Sequence, residues 1–199
     1  MKLFQLFPTS VVREEHVLSP EQLESIFDHL LTIPTNKHDA FDGDASSSRY
    51  ETENLSDINC LESISKNILP EIENIIEYYF DQYTTLTGIR PVKIDNSWFN
   101  IQNEGSVLQQ HDHPHSIVSM ALYINTPENS NSIVFENPNN VAAFTNEVLH
   151  FNELNWSRFT IDVKAGDLIM FPSWLRHGSY YQKNKSNNRT VISINTKYK

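Results

Sequence analysis

Cysteine is almost absent from this 199-residue chain: Cys60 is the only one. No internal disulfide can form, and a reducing, cytoplasmic setting is the simplest expectation. Glycine is scarce too, with five residues against 21 asparagines, so Asn is expected to supply many of the turn conformations that Gly usually takes. No apolar run approaches the roughly 20 residues that a membrane-spanning helix needs. The opening Met1-Lys2-Leu3-Phe4-Gln5-Leu6-Phe7-Pro8 has too short an apolar core for a secretory signal. Basic residues are outnumbered, 15 Lys and Arg against 25 Asp and Glu, for a formal net charge of -10. That balance argues against a broad nucleic-acid-binding surface, which needs clustered Lys and Arg to neutralise phosphates. Internal repeats and low-complexity tracts are missing as well. Against these absences stand a hydrophobic content of 39% and an aromatic content of 11%, which imply a folded globular chain. The length suits one domain over residues 1–199.

Two periodicities divide that domain. Ser19-Pro20-Glu21-Gln22 is a helix start, with Ser as N-cap, Pro at the first helical position and Gln three residues after the Ser. Leu23, Ile26, Phe27, Leu30 and Leu31 then recur at helical spacing. A second helical pattern runs from Leu61 to Tyr83, with Pro70 inside it predicting a kink or two helices and Gly88 closing it. Between the two patterns, residues 36–57 are polar and read as a long loop. From Ile94 the period becomes two. Strands are expected at residues 117–125, 133–135 and 190–196, and a hairpin is expected to join 159–163 to 168–171 through Lys164-Ala165-Gly166-Asp167. The expected fold is mainly β with a helical layer. Residues 1–93 would form the helical part, and residues 94–199 a jelly-roll core that those helices cover.

The chemistry is concentrated in the strand half. His111-Asp112-His113-Pro114 puts two imidazoles at i and i+2 of an extended segment, on one side of the backbone, with Asp112 facing away. A third, His177, is expected at the end of a later apolar strand, in Phe171-Pro172-Ser173-Trp174-Leu175-Arg176-His177. Three imidazoles so gathered can hold a transition metal on one face and leave its other positions open. Arg189 comes twelve residues after His177. Parity adds a cavity. Val118, Met120, Leu122 and Ile124 are apolar, whereas Ser119, Tyr123, Arg189, Ser193 and Asn195 share odd numbers with the histidines. A strand apolar on one face and polar on the other commonly lines a solvated cavity with its polar face.

From Trp98 to Asn195 the chain resembles a 2-oxoglutarate- and Fe(II)-dependent oxygenase family found in marine bacteria and their phages. The likeness rests on His111-Asp112-His113-Pro114-His115-Ser116, on Ser119 and Tyr123, on Gly166-Asp167-Leu168, on Phe171 to Trp174 with His177, and on Arg189 with Ser193 and Asn195. Leu3-Phe4 and Phe7-Pro8 look like the family's opening. The resemblance implies a double-stranded β-helix, which agrees with the strand pattern. It implies Fe(II) on His111, His113 and His177, and 2-oxoglutarate anchored on Arg189, where a planar guanidinium matches a carboxylate. Tyr123, Ser193 and Asn100 are further candidates for the cosubstrate pocket. The implied reaction hydroxylates a small-molecule or protein substrate with release of succinate and CO2. A homodimer would be compatible with it, and a phage-encoded enzyme would work in the host cytoplasm.

The chain also departs from the pattern. His115 and Met120 stand where glycines are usual, and a histidine replaces the customary carboxylate of a two-His, one-carboxylate set. Two other readings therefore stay open: a cupin-like three-His metalloenzyme that uses no 2-oxoglutarate, and a non-catalytic metal-binding jelly-roll module. His115 is left between a supporting role and the surface. His16, His29, His38 and His150 are expected to be ordinary surface or core residues. Trp174 is expected to pack beside the metal, and Cys60 to be inert. Residues 36–57 and 137–155 are candidate substrate lids.

Overall fold

The computed structural model of the protein describes residues 2, 8–49, 59–139, 149–150, 152, 155–180 and 182–199, and among these described residues lie three helices and twelve strands. Helix α1 (Pro20–Leu30) begins as its sequence dictates. The Ser19 hydroxyl accepts from the Gln22 amide, and the Gln22 side chain accepts from the Ser19 amide in return. The second helical pattern is split around Pro70 into α2 (Cys60–Asn67) and α3 (Ile72–Thr87), and α3 ends on Gly88 at φ 72, a left-handed cap. Among the described residues no helix is long and apolar enough to cross a membrane.

The strands are β1 (Val12–Glu14), β2 (Asn36–Lys37), β3 (Phe41–Asp42), β4 (Ala45–Ser47), β5 (Val92–Gln102), β6 (Val107–Leu108), β7 (Val118–Asn125), β8 (Ile133–Glu136), β9 (Arg158–Ile161), β10 (Leu168–Pro172), β11 (His177–Gly178) and β12 (Arg189–Tyr198). A seven-stranded antiparallel sheet has the order β1-β10-β7-β12-β5-β4-β2, and a smaller sheet the order β11-β8-β9. Alternation decides what each face of the large sheet does. Met120, Leu122, Ile192 and Ile194 turn toward Ile26, Ile64, Ile72 and Ile76 of the helices in one shared core. Each such fully buried aliphatic side chain contributes roughly 1.5–3 kcal/mol. The opposite face carries Ala121, Tyr123 and Val191, which pack with Ile133 and Phe135 of the small sheet. This is the double-stranded β-helix with its helical layer.

Three expectations need correction. Residues 36–49 are not simply loop, because they carry β2, β3 and β4, and β4 extends the large sheet by pairing with β5; residues 50–57 lie outside the described residues. Nor are the first 93 residues only helical, since β1 pairs with β10 and β5 already begins at Val92. Strands β1 to β4 have only two or three residues each, too few for a period to register. Finally, β9 and β10 do not form a hairpin. The turn at Lys164 to Asp167 exists, closed by the Asp167 amide on the Lys164 carbonyl at 3.0 Å. But β9 leaves it for β8 in the small sheet, and β10 for β7 and β1 in the large one. The turn is a corner between sheets, which is how a jelly roll encloses the space between its walls.

Candidate metal centre

Backbone pairing brings the three histidines together. His111 and His177 form an isolated antiparallel bridge, exchanging both amide bonds at 3.0 and 2.9 Å. Opposed residues of such a pair send their side chains to the same face. The His113 amide donates to the Ser173 carbonyl at 3.0 Å, fixing the second ring beside them. His177 is not at the end of β10, as the sequence suggested. It follows a tight turn after β10 and opens β11 in the other sheet. Gly178 makes this register attainable: a Cβ there would lie 2.7 Å from the Leu108 carbonyl oxygen and 2.8 Å from that of Gln109.

The three rings offer nitrogens within 4.8 Å of one another, and no other such group of His, Cys, Asp or Glu occurs among the described residues. Their hydrogen bonds say which nitrogens are free. The His111 Nδ1–H donates to the Gln109 carbonyl at 2.9 Å, and the His177 Nδ1–H to the Leu175 carbonyl at 2.8 Å. A carbonyl only accepts, so both rings keep a lone pair on Nε2. The Nε2 atoms of His113 and His177 are 3.2 Å apart. That is about the spacing of two nitrogens each bound roughly 2.0–2.1 Å from one ion. The donor set therefore fits a borderline transition metal. His113 and His177 are buried and His111 half-buried.

Burial also keeps the rings neutral. Desolvation pushes His113 down to about 3, with repulsion from His111 and Arg49 adding to it. It holds His177 well below the ordinary 6.5, and His111 below it too. In the unfolded chain these rings take up protons near 6.5, so between about 3 and 6.5 the unfolded state binds more protons. Their contribution to stability is present above that window and is lost as the pH falls through it. The melting temperature of metal-free protein is thus expected to drop from pH 7 to pH 4, and to drop less in His113→Gln. Scanning fluorimetry at both pH values checks this; equal drops in the two proteins would assign the effect to other groups.

Arg189 sits in the same cavity, only 4% exposed. Its Nε donates to the Asn131 carbonyl at 3.1 Å, and its guanidinium carbon lies 5.2 Å from the centre of the Tyr123 ring, a cation–π contact. No Asp or Glu among the described residues pairs with it. A buried cation without a protein anion is suited to a bound one, and a carboxylate is the natural match. Asn100, its Nδ2 3.5 Å from the Ser193 hydroxyl, and Gln102 line the cavity as well. The Asn100 Oδ1 and Gln102 Oε1 atoms are buried there without a partner.

Other residues depart from the sequence reading. His38, expected to be ordinary, lines the cavity, as does Arg49, whose guanidinium lies 4.9 Å from the Trp98 ring. Trp98 in turn is 5.6 Å from the His113 ring. Neither His38 nor Arg49 stands in a motif, because both reach the site through the short strands β2 to β4. Trp174 is 56% exposed and does not pack beside the histidines; Phe171 does, 4.4 Å from the His177 ring. His115, at φ 70, and Asp112 both face solvent. Cys60 is fully buried in the helical core, and burial raises its thiol far above its usual range, so it is unreactive.

The comparisons agree with this geometry. A family model described as "Putative 2OG-Fe(II) oxygenase" matches residues 96–195, half of the chain. The chain belongs to this family. No curated protein matches it. Among solved structures, a 2OG-Fe(II) oxygenase family oxidoreductase from Burkholderia pseudomallei superimposes with a TM-score of 0.64 at 14% identity, over 94% of this chain and 84% of that one. HygX from Streptomyces hygroscopicus, solved with nickel and 2-oxoglutarate bound, gives 0.58 at 12% identity over 96% and 83%. A Pseudomonas putida prolyl-4-hydroxylase gives 0.58 at 11% identity over 96% and 94%. At such identities the superpositions establish the shared fold of the 2OG-Fe(II) oxygenases.

Proposed function

We propose that this family member is a 2-oxoglutarate- and Fe(II)-dependent dioxygenase that hydroxylates an organic substrate with release of succinate and CO2. One observation carries the reading: three imidazoles whose nitrogens converge and a buried guanidinium with no acidic partner among the described residues open into one cavity. His111, His113 and His177 would hold the iron through Nε2. Arg189 would bind the distal carboxylate of 2-oxoglutarate, held in place by Asn131 and Tyr123, with Asn100 and Ser193 on the cavity wall. Bound there, iron with 2-oxoglutarate and dioxygen supplies oxidative decarboxylation coupled to oxygen insertion into a C–H bond. The chain's own part is to orient the cosubstrate, keep the rings neutral and exclude water with Phe135, Phe171 and Val191. His38, Arg49 and Trp98 would face the substrate. Residues 1–199 would act as one domain, supported by the core that helices and large sheet share.

Anaerobic titration tests the reading. Protein loaded with Fe(II) is expected to develop a visible charge-transfer band on addition of 2-oxoglutarate. Iron binding with no spectral response to 2-oxoglutarate would favour the cupin-like alternative.

A further inference from the structure

His113 differs from the other two rings in what holds it. Its Nδ1 meets no carbonyl among the described residues; it lies 3.4 Å from the Asn195 Nδ2. The Asn195 Oδ1 accepts from the Ser119 hydroxyl at 2.8 Å, and the Ser119 and Ser173 hydroxyls are 2.8 Å apart. All three partners are buried, at 5%, 2% and 0% exposure. The β12 strand shifts register between Asn195 and Thr196, and such an irregularity re-aims the neighbouring side chains.

The donors and acceptors of this row can be followed from one end. Leu175 fixes the His177 hydrogen on Nδ1, so the His177 Nε2 can only accept. The hydrogen of its 3.2 Å contact must then come from the His113 Nε2. This leaves the His113 Nδ1 as acceptor, the Asn195 amide nitrogen as its donor, and the Asn195 oxygen as acceptor from Ser119. Every link agrees with the placement of the Asn195 amide. That tautomer, however, cannot use its Nε2 as a ligand. When a metal takes the His113 Nε2, the ring hydrogen must sit on Nδ1, and the group facing it must accept.

We propose that Asn195 is the positioning residue that sets the tautomer of His113, and that its amide turns over when the centre takes up metal. The turn presents Oδ1 to the His113 Nδ1–H and Nδ2 to the Ser119 oxygen, so the Ser119–Ser173 bond reverses direction. Both forms of the ring are neutral, and no proton enters or leaves. An asparagine serves because its two ends have nearly the same shape and opposite hydrogen-bonding character. Ser119 and Ser173 serve because a hydroxyl can donate or accept. This proposal rests on the reading of His111, His113 and His177 as the metal ligands.

Long-range 1H–15N spectra of the imidazoles, recorded on chelator-treated and on Zn(II)-loaded full-length protein, test it together with Zn(II) competition titrations. Metal-free wild type is expected to carry the His113 hydrogen on Nε2, and the Zn(II) form on Nδ1. Asn195→Asp, which only accepts, should carry it on Nδ1 in both forms and bind Zn(II) more tightly. About ten-fold is expected, the lower end of what outer partners of a ligand histidine change. Asn195→Ser should leave the metal-free ring without a single preferred tautomer and weaken Zn(II) binding. An Nδ1–H in metal-free wild type, or an Nε2–H persisting in Asn195→Asp, overturns the proposal. Wild type that binds no Zn(II), or whose His113 resonances ignore it, overturns instead the ligand assignment beneath it.

Discussion

Arg189→Met is expected to abolish the response to 2-oxoglutarate while making the unliganded protein more stable. The two effects have one cause. Arg189 is buried with no acid paired to it among the described residues, so folding strips a guanidinium of water and returns a hydrogen bond to Asn131 and a cation–π contact with Tyr123. Desolvation is the largest influence on its ionisation, and it acts against the charge. Replacing buried charged groups with apolar side chains of similar size is often neutral or stabilising, by about 1–4 kcal/mol. Methionine can lie along the Tyr123 ring and fill the same space. The carboxylate of 2-oxoglutarate, in contrast, would meet no cation. Losing one partner of a buried charge pair costs about 2–5 kcal/mol, or roughly 30- to several-thousand-fold in affinity. Thermal unfolding without ligand should show a higher midpoint for the variant. Titration of 2-oxoglutarate into the Fe(II) form should show no charge-transfer band up to millimolar concentrations. Wild-type affinity in Arg189→Met would remove Arg189 from the cosubstrate site.

His177→Ala is expected to reduce metal affinity by more than the roughly 10- to 100-fold that changes in the outer partners of a ligand cause. Succinate formation should become undetectable. His177 is the ring whose Nε2 approaches His113 and whose Nδ1 is tied to Leu175, so its loss leaves two nitrogens where three converged. The fold should survive. The bridge between residues 111 and 177 is made by backbone atoms, and the ring packs against Phe171 and Phe135, where truncation costs a few kcal/mol at most. Circular dichroism verifies the fold, and competition titration with Zn(II) measures the affinity. Unaltered Zn(II) binding in this variant would mean that the metal lies elsewhere.

Much of the architecture could be read in the chain because it depends on near neighbours. The capping box at Ser19 and the break at Pro70 are properties of a few consecutive residues. The alternation of Val118 to Ile124 sorts a strand into two faces whatever it pairs with. For the site, the spacing of His111 and His113 and the block that ends in His177 were sufficient to nominate the triad, and parity placed Tyr123, Arg189 and Ser193 toward one cavity. The strands β1 to β4 escaped notice because two or three residues do not establish a period. With them His38 and Arg49 were missed.

The sequence by itself determined the helices, the longer strands and the faces of those that alternate, the three histidines and the family. Tertiary structure alone decided which sheet received β9, why Trp174 faces solvent, and that Arg189 has no acidic partner among the described residues. It also decided that His113 answers to Asn195, 82 residues away, rather than to a backbone carbonyl. The physical reason is range. Periodicity, caps and turns act over one or two turns of chain, whereas a hydrogen-bond partner or a missing counter-charge exists only once distant segments have been packed together.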